Sequence, residues 1–274
     1  MPSFKTSDGR TLAYNVIGSG PTLVCHPGGP GFAGAELGDL GGLSATRRLV
    51  LLDPRGTGGS DPGPDYSLDG YAADLDALRA ELGVDKMDLL GFSYGSVVAV
   101  SYATRYVDGL NRLVLAGGLA AFTPEGQEFA NQVIASKSSE PWHADAVAAL
   151  AEEESGGDID LAALWVREAP LYFAQWDEKY RAAVVAGAVG ANAAPLIESN
   201  KIGFDLRGEL NLVSAPTLIV CGREDFVCGP PAAQDLANGI SGAQIVMLEQ
   251  TGHMMYIEQP EAFRGAVEKF LGAA

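Results

Sequence analysis

Few residues of this chain could make and break an acyl bond, and their spacing narrows the choice. The run Leu89-Leu-Gly91-Phe-Ser93-Tyr-Gly95-Ser-Val97 sets a serine between two glycines where an apolar strand gives way to a helix. A serine at such a strand-to-helix turn takes strained backbone angles. Small neighbours let strand and helix pack behind it, and its hydroxyl stands clear of the sheet. Ser93 is therefore the candidate nucleophile. A serine hydroxyl reacts poorly at neutral pH, so the reading requires a base, an acid to orient that base, and donors for an oxyanion.

Three histidines are available, His26, His143 and His253. His253 follows the apolar run Gln244–Leu248 and a Gln-Thr-Gly turn, which places it in a loop at a strand's C-terminal end, where α/β sheets keep their chemistry. His26 ends an earlier strand, and His143 lies beside Trp142 in an alanine-rich helical stretch. The acid is expected after the strand before His253, Ala215–Cys221. There Gly222-Arg-Glu-Asp225 offers Asp225 a turn from which to orient the imidazole, with Glu224 as the fallback. The oxyanion donors are expected near Cys25-His-Pro-Gly-Gly-Pro-Gly31, whose glycines remove side chains that would block a backbone amide. The amides of Gly29 and Tyr94 are assigned that role.

The elements that must carry these loops follow from pattern. Two short strands, near Ser3–Lys5 and Leu12–Val16, flank an Asp8-Gly9 hairpin signal. Strands are predicted at Thr22–Cys25, Arg48–Leu52, Lys86–Gly91, Leu110–Ala116, Ala215–Cys221 and Gln244–Leu248, and helices at Leu68–Leu82, Ser96–Tyr106, Ala232–Asn238 and Glu261–Leu271. Continuous apolar strands alternating with helices call for a parallel sheet covered on both faces. That rhythm stops between about Ala120 and Asn211, a stretch rich in alanine and acids that holds all three tryptophans. The expected organisation is an α/β core, 1–119 and 212–274, with a mostly parallel eight-stranded sheet and an inserted helical cap, 120–211. The glycine pair Gly156-Gly157 is the one linker-like spot. Trp142, Trp165, Tyr172, Phe173 and Trp176 are candidates for an apolar pocket wall, although the same spacing suits a packed helical core.

With 274 residues, 47% hydrophobic and 19% charged, the chain can fill a substantial core. A net charge of −17 opposes nucleic-acid phosphate and anionic membrane as partners, leaving a small molecule or short peptide. Cys25, Cys221 and Cys228 are odd in number and lack metal-ligand spacing, so no metal and no cofactor is expected. They read as reduced thiols of a cytoplasmic protein, and the N-terminal residues lack the pattern of an export signal.

These motifs together resemble the α/β-hydrolase fold, and within it the proline iminopeptidase group of serine peptidases. The resemblance spans nearly the whole chain. It rests on Pro27-Gly-Gly-Pro-Gly31, Asp53-Pro-Arg-Gly-Thr-Gly-Gly-Ser60, Gly91–Gly95, Gly222-Arg-Glu-Asp225 and Gly252-His253. It implies cleavage of an N-terminal aminoacyl amide through an acyl-enzyme. The alternatives are an esterase or lactonase on the same triad, or a non-catalytic ligand-binding protein of this fold. In that group cap glutamates hold the substrate's amine, one within Trp-x-x-Trp-Glu; the nearest match here is Phe173-Ala-Gln-Trp176-Asp177, with Glu198 as the nearest counterpart of the second acid. Gly28, Trp176, Asp177 and Glu198 are thus the implied substrate-binding residues. Pro27 stands where the group carries its motif histidine. Arg55 is expected to pair with Asp53 or Asp61, and Ser60 to close its turn.

Overall fold

The computed structural model describes residues 1–155 and 159–272; the predicted linker glycines, Gly156 and Gly157, lie outside them. Eight strands form one sheet: β1 Ser3–Lys5, β2 Thr11–Ile17, β3 Thr22–His26, β4 Arg48–Leu52, β5 Met87–Phe92, β6 Leu110–Ala116, β7 Thr217–Gly222 and β8 Gln244–Leu248. Their spatial order is β1-β2-β4-β3-β5-β6-β7-β8. The β1–β2 hairpin and the β2–β4 pair are antiparallel, and every later pair is parallel.

Helices cover both faces. They are α1 Leu68–Glu81, α2 Tyr94–Arg105, α3 Pro124–Ser136, α4 His143–Ser155, α5 Leu161–Glu168, α6 Arg181–Gly187, α7 Ala193–Ile202, α8 Pro230–Gly239, α9 Met255–Glu258 and α10 Pro260–Leu271. Side chains alternate across a strand, so each strand feeds two cores. Val24 and Leu89 join α1, α2 and α8 on one face. Leu23 and Leu90 join α10 and parts of α5 and α6 on the other. The C-terminal four residues of each of β4 to β7 are buried, as expected of strands covered on both faces.

Starts and stops have local causes. The Ser67 hydroxyl accepts the Gly70 amide at 3.2 Å and begins α1. Thr123 and Asn192 cap α3 and α7 in the same way. Among the described residues no strand lies between β6 and β7; the chain there is helical, α3 to α7. Arg55 does not pair as expected. Its guanidinium binds Asp74 at 2.7 Å and the carbonyls of Asp65 and Gly70. Asp53 instead accepts the amides of Gly34 and Gly59, both at 2.9 Å, while Asp61 accepts Thr11. Ser60 closes its turn by donating to the Asp53 carbonyl at 2.6 Å.

Candidate active site

Ser93 stands between β5 and α2 with φ 53° and ψ −123°, a left-handed conformation that L-residues avoid. The glycines around it are required. A Cβ at Gly91 would fall 2.2 Å from the Gly95 carbonyl oxygen, and one at Gly95 would fall 2.4 Å from the carbonyl oxygens of both His26 and Pro27. Two backbone bonds secure the turn: Ser93 N–H donates to Ala116 at 2.9 Å, and Ser96 N–H to the Ser93 carbonyl at 2.8 Å.

His253 and Asp225 meet from the loops after β8 and β7. Nδ1 of His253 lies 2.8 Å from Oδ2 of Asp225, and both side chains are buried. A carboxylate only accepts, so Nδ1 carries the proton and Nε2 of the neutral ring is free to take one. The other carboxylate oxygen, Oδ1, accepts the amides of Val227 and Cys228, each at 2.9 Å, which fixes the orientation of the Asp225 side chain. Glu224, the fallback, is not in this contact. The imidazole packs against Phe92 and Tyr172, with ring centroids 4.9 and 5.6 Å away.

Ser93, His253, Gly29 and Tyr94 all line one cavity of about 470 Å³. Tyr94 is the first residue of α2, and the amides of a helix's first turn have no intrahelical acceptor. Gly29 has φ 104°, and a Cβ there would sit 2.5 Å from the Gly31 nitrogen. Trp165 and Tyr172 belong to the wall of the cavity; Trp142, Phe173 and Trp176 pack elsewhere.

Of the implied substrate-binding residues, the structure brings only Gly28 close to Ser93, and the Gly28 amide is already given to Glu36 at 2.6 Å. Asp177 caps the turn at Lys179 and pairs with its Nζ at 3.0 Å. Glu198 pairs with Lys201 at 2.7 Å. On α7, Leu196, Ser199 and Asn200 face the cavity at helical spacing, followed by Gly203 just past the helix end, and Glu198 lies off that stripe. The Trp176 indole donates to Glu178 at 3.1 Å. His26 sits behind the turn, its Nδ1 2.9 Å from the Pro27 carbonyl oxygen, and burial pulls it down to about 4, so it stays neutral. His143 lies 3.0 Å from the Ile134 carbonyl oxygen.

Three charged residues that the sequence reading passed over support this site. Burial pushes the Glu36 carboxyl up to about 7, against the pull of the Gly28 amide and of His253. Glu258 accepts Gly252 N–H at 2.6 Å and Ala174 N–H at 2.8 Å, joining the His253 loop to the segment after α5. Lys137 donates to the carbonyls of Leu171 and Phe173, at 2.8 and 2.6 Å, and between them the Tyr172 carbonyl accepts His253 N–H at 2.6 Å. The sequence gives little signal for them: Gly28 and Gly252 precede Glu36 and Glu258 in the same loops, while Ala174 and the carbonyls that Lys137 binds are distant in the chain.

A family model described as the alpha/beta hydrolase fold matches residues 21–260. The chain belongs to that family, and it is a hydrolytic enzyme of that fold. It is 26% identical over 268 residues to a proline iminopeptidase of Heyndrickxia coagulans, covering 93% of this chain and 92% of that protein. It is 29% identical to a 2-hydroxymuconate semialdehyde hydrolase of Pseudomonas putida, over 96% of this chain and 87% of that one. A solved hydrolase of Pseudomonas aeruginosa superposes with a TM-score of 0.74 at 28% identity, covering 99% and 98% of the two chains. Among the described residues no helix is long and apolar enough to cross a membrane.

Proposed function

We propose that the protein is a serine hydrolase working through an acyl-enzyme, and that its substrate is an N-terminal aminoacyl amide of the kind proline iminopeptidases cleave. The observation that carries this reading is the convergence of Ser93, on its strained turn, and the Asp225-oriented His253 on one cavity. Ser93 Oγ attacks the carbonyl carbon and gives its proton to Nε2 of His253. The amides of Gly29 and Tyr94 receive the oxyanion. Collapse of the tetrahedral intermediate breaks the acyl–nitrogen bond, and the imidazolium protonates the leaving amine. Water then attacks the ester, giving its proton to His253, which returns it to Ser93. Asp225 holds the tautomer throughout.

In this reading 120–211 is a cap on the core formed by 1–119 and 212–274, and the substrate is a small molecule or short peptide. The three buried, unpaired cysteines support work in a reducing compartment such as the cytoplasm. A second reading, hydrolysis of a neutral ester or lactone, draws support from the absence of Asp177 and Glu198 from the cavity wall.

The test is a panel of prolyl β-naphthylamide, a phenyl ester and a lactone, with S93A as the blank. Ser93→Ala should lower turnover on the order of a million-fold and abolish labelling by a fluorophosphonate. Labelling of S93A, or none of either protein, would remove the serine mechanism. Turnover of the ester or lactone alone would select the second reading.

A further inference from the structure

The cavity wall holds three carboxyl side chains, Glu36, Glu153 and Glu154, and among the described residues no lysine or arginine lines it. Glu36 is the one placed beside the nucleophile. A Cβ built on Gly28 would lie 3.0 Å from Ser93 Cβ and 3.2 Å from both Glu36 carboxyl oxygens, so a single methyl-sized group spans the gap. The side chain is fixed there. Oε2 accepts Gly28 N–H, the Glu36 carbonyl accepts the Tyr256 hydroxyl at 3.1 Å, and the residue is 6% exposed. Glu153, on α4, is already engaged with Glu168.

An uncompensated carboxylate at this point opposes acyl transfer. The oxyanion would form on Gly29, the residue after the one Glu36 grips, and a like charge that near slows its formation on the order of 100-fold at the effective dielectric of a partly buried site. A substrate that carries its own cation cancels the penalty. In an aminoacyl group the α-ammonium is two bonds from the carbonyl carbon, and when its nitrogen is syn to the carbonyl oxygen it lies on the oxyanion side, where Glu36 is.

We propose that Glu36 determines specificity for a free α-amine, its carboxylate pairing with the substrate's ammonium while Gly29 and Tyr94 hold the carbonyl oxygen. The inference rests on the aminopeptidase reading above. It moves the amine anchor from the helical segment to the turn between β3 and β4, because Asp177 and Glu198 are committed to Lys179 and Lys201. Burial pushes the Glu36 carboxyl up to about 7, and an ammonium partner would draw it down and hold it ionised.

The experiment compares prolyl β-naphthylamide with cyclopentanecarbonyl β-naphthylamide, which replaces the ring N–H by CH2, on the full chain, E36Q and E36D. The readout is the ratio of the two kcat/KM values, from which any loss shared by both substrates cancels. The wild-type protein should favour the prolyl compound. E36Q should lower the ratio about 10- to 100-fold, mainly through KM, as expected for a hydrogen bond to a charged group, with E36D in between. A preference that survives E36Q overturns the role of Glu36 and leaves the aminopeptidase reading standing. A wild-type protein with no preference overturns both. Should E36Q fail to fold, E36D decides: an unchanged ratio sinks the inference.

Discussion

Raising the pH should loosen the packing of α4 against α5, because the two helices share a pair of carboxyl groups. Glu168 is fully buried, and neither of its oxygens has a donor among the described residues apart from Glu153, whose carboxyl lies within hydrogen-bonding range. Two ionised carboxylates can only accept, so the contact is a bond only while one of them keeps a proton. Burial, then the charge of Glu153, push Glu168 up from the ordinary 4.5, and burial raises Glu153 as well. A carboxyl raised in the folded state binds its proton more tightly folded than unfolded. Its stabilising effect is complete below about 4.5 and is lost as the pH climbs through the raised value. With both groups ionised at about 4 Å and an effective dielectric of 20, repulsion reaches about 4 kcal/mol at most. Each kcal/mol moves Tm by roughly 2–4 °C in a chain of this size. Glu168→Gln supplies Glu153 with a permanent donor. Differential scanning calorimetry at pH 5, 7 and 9 should therefore show E168Q gaining roughly 5–15 °C on the wild-type protein by pH 9, with little difference at pH 5. Parallel curves, or a variant that melts lower at pH 9, would refute the argument.

Two other substitutions probe the scaffold of the site. Gly95→Ala forces a Cβ against the carbonyl oxygens of His26 and Pro27 at the end of β3. It should cost about 1–3 kcal/mol of stability and at least about 100-fold in kcat, and wild-type values of both Tm and kcat would contradict the packing described. Glu258→Ala strands the amides of Gly252 and Ala174. Stability should fall by about 2–4 kcal/mol and kcat should drop more than KM rises, with denaturant melts and ester kinetics as the readouts; an effect on KM alone would argue against a role in holding His253.

The strands β4, β6 and β8 begin and end where the sequence puts them, because each carries four consecutive apolar residues at its C-terminal end. Helix α2 begins at Tyr94 rather than Ser96, since the turn that exposes Ser93 continues directly into the first helical residue. The Asp225–His253 contact was legible from loop position alone. The surroundings of Asp177 and Glu198, the two acids the resemblance implied for amine binding, were not. Glu198 is misplaced by its position around α7, off the stripe that faces the cavity, and Asp177 prefers the local turn and lysine beside it. Glu36 and Glu258 act on amides of their own loops, whose turns the sequence does not display, while Lys137 and the Glu258–Ala174 contact depend on tertiary folding.

The backbone amide of His253 ends on the Tyr172 carbonyl, and Glu258 and Lys137 bind the same short segment from either side. Recombination cannot treat the helical stretch between β6 and β7 as an interchangeable module. A segment transplanted from a relative would have to bring a carbonyl to the Tyr172 position and amides within reach of Glu258, or the loop that carries His253 would lose its register. Side chains on the cavity stripe of α7 and on α4 make none of these bonds, so they are the positions where the cavity wall can change without disturbing the loop that holds His253.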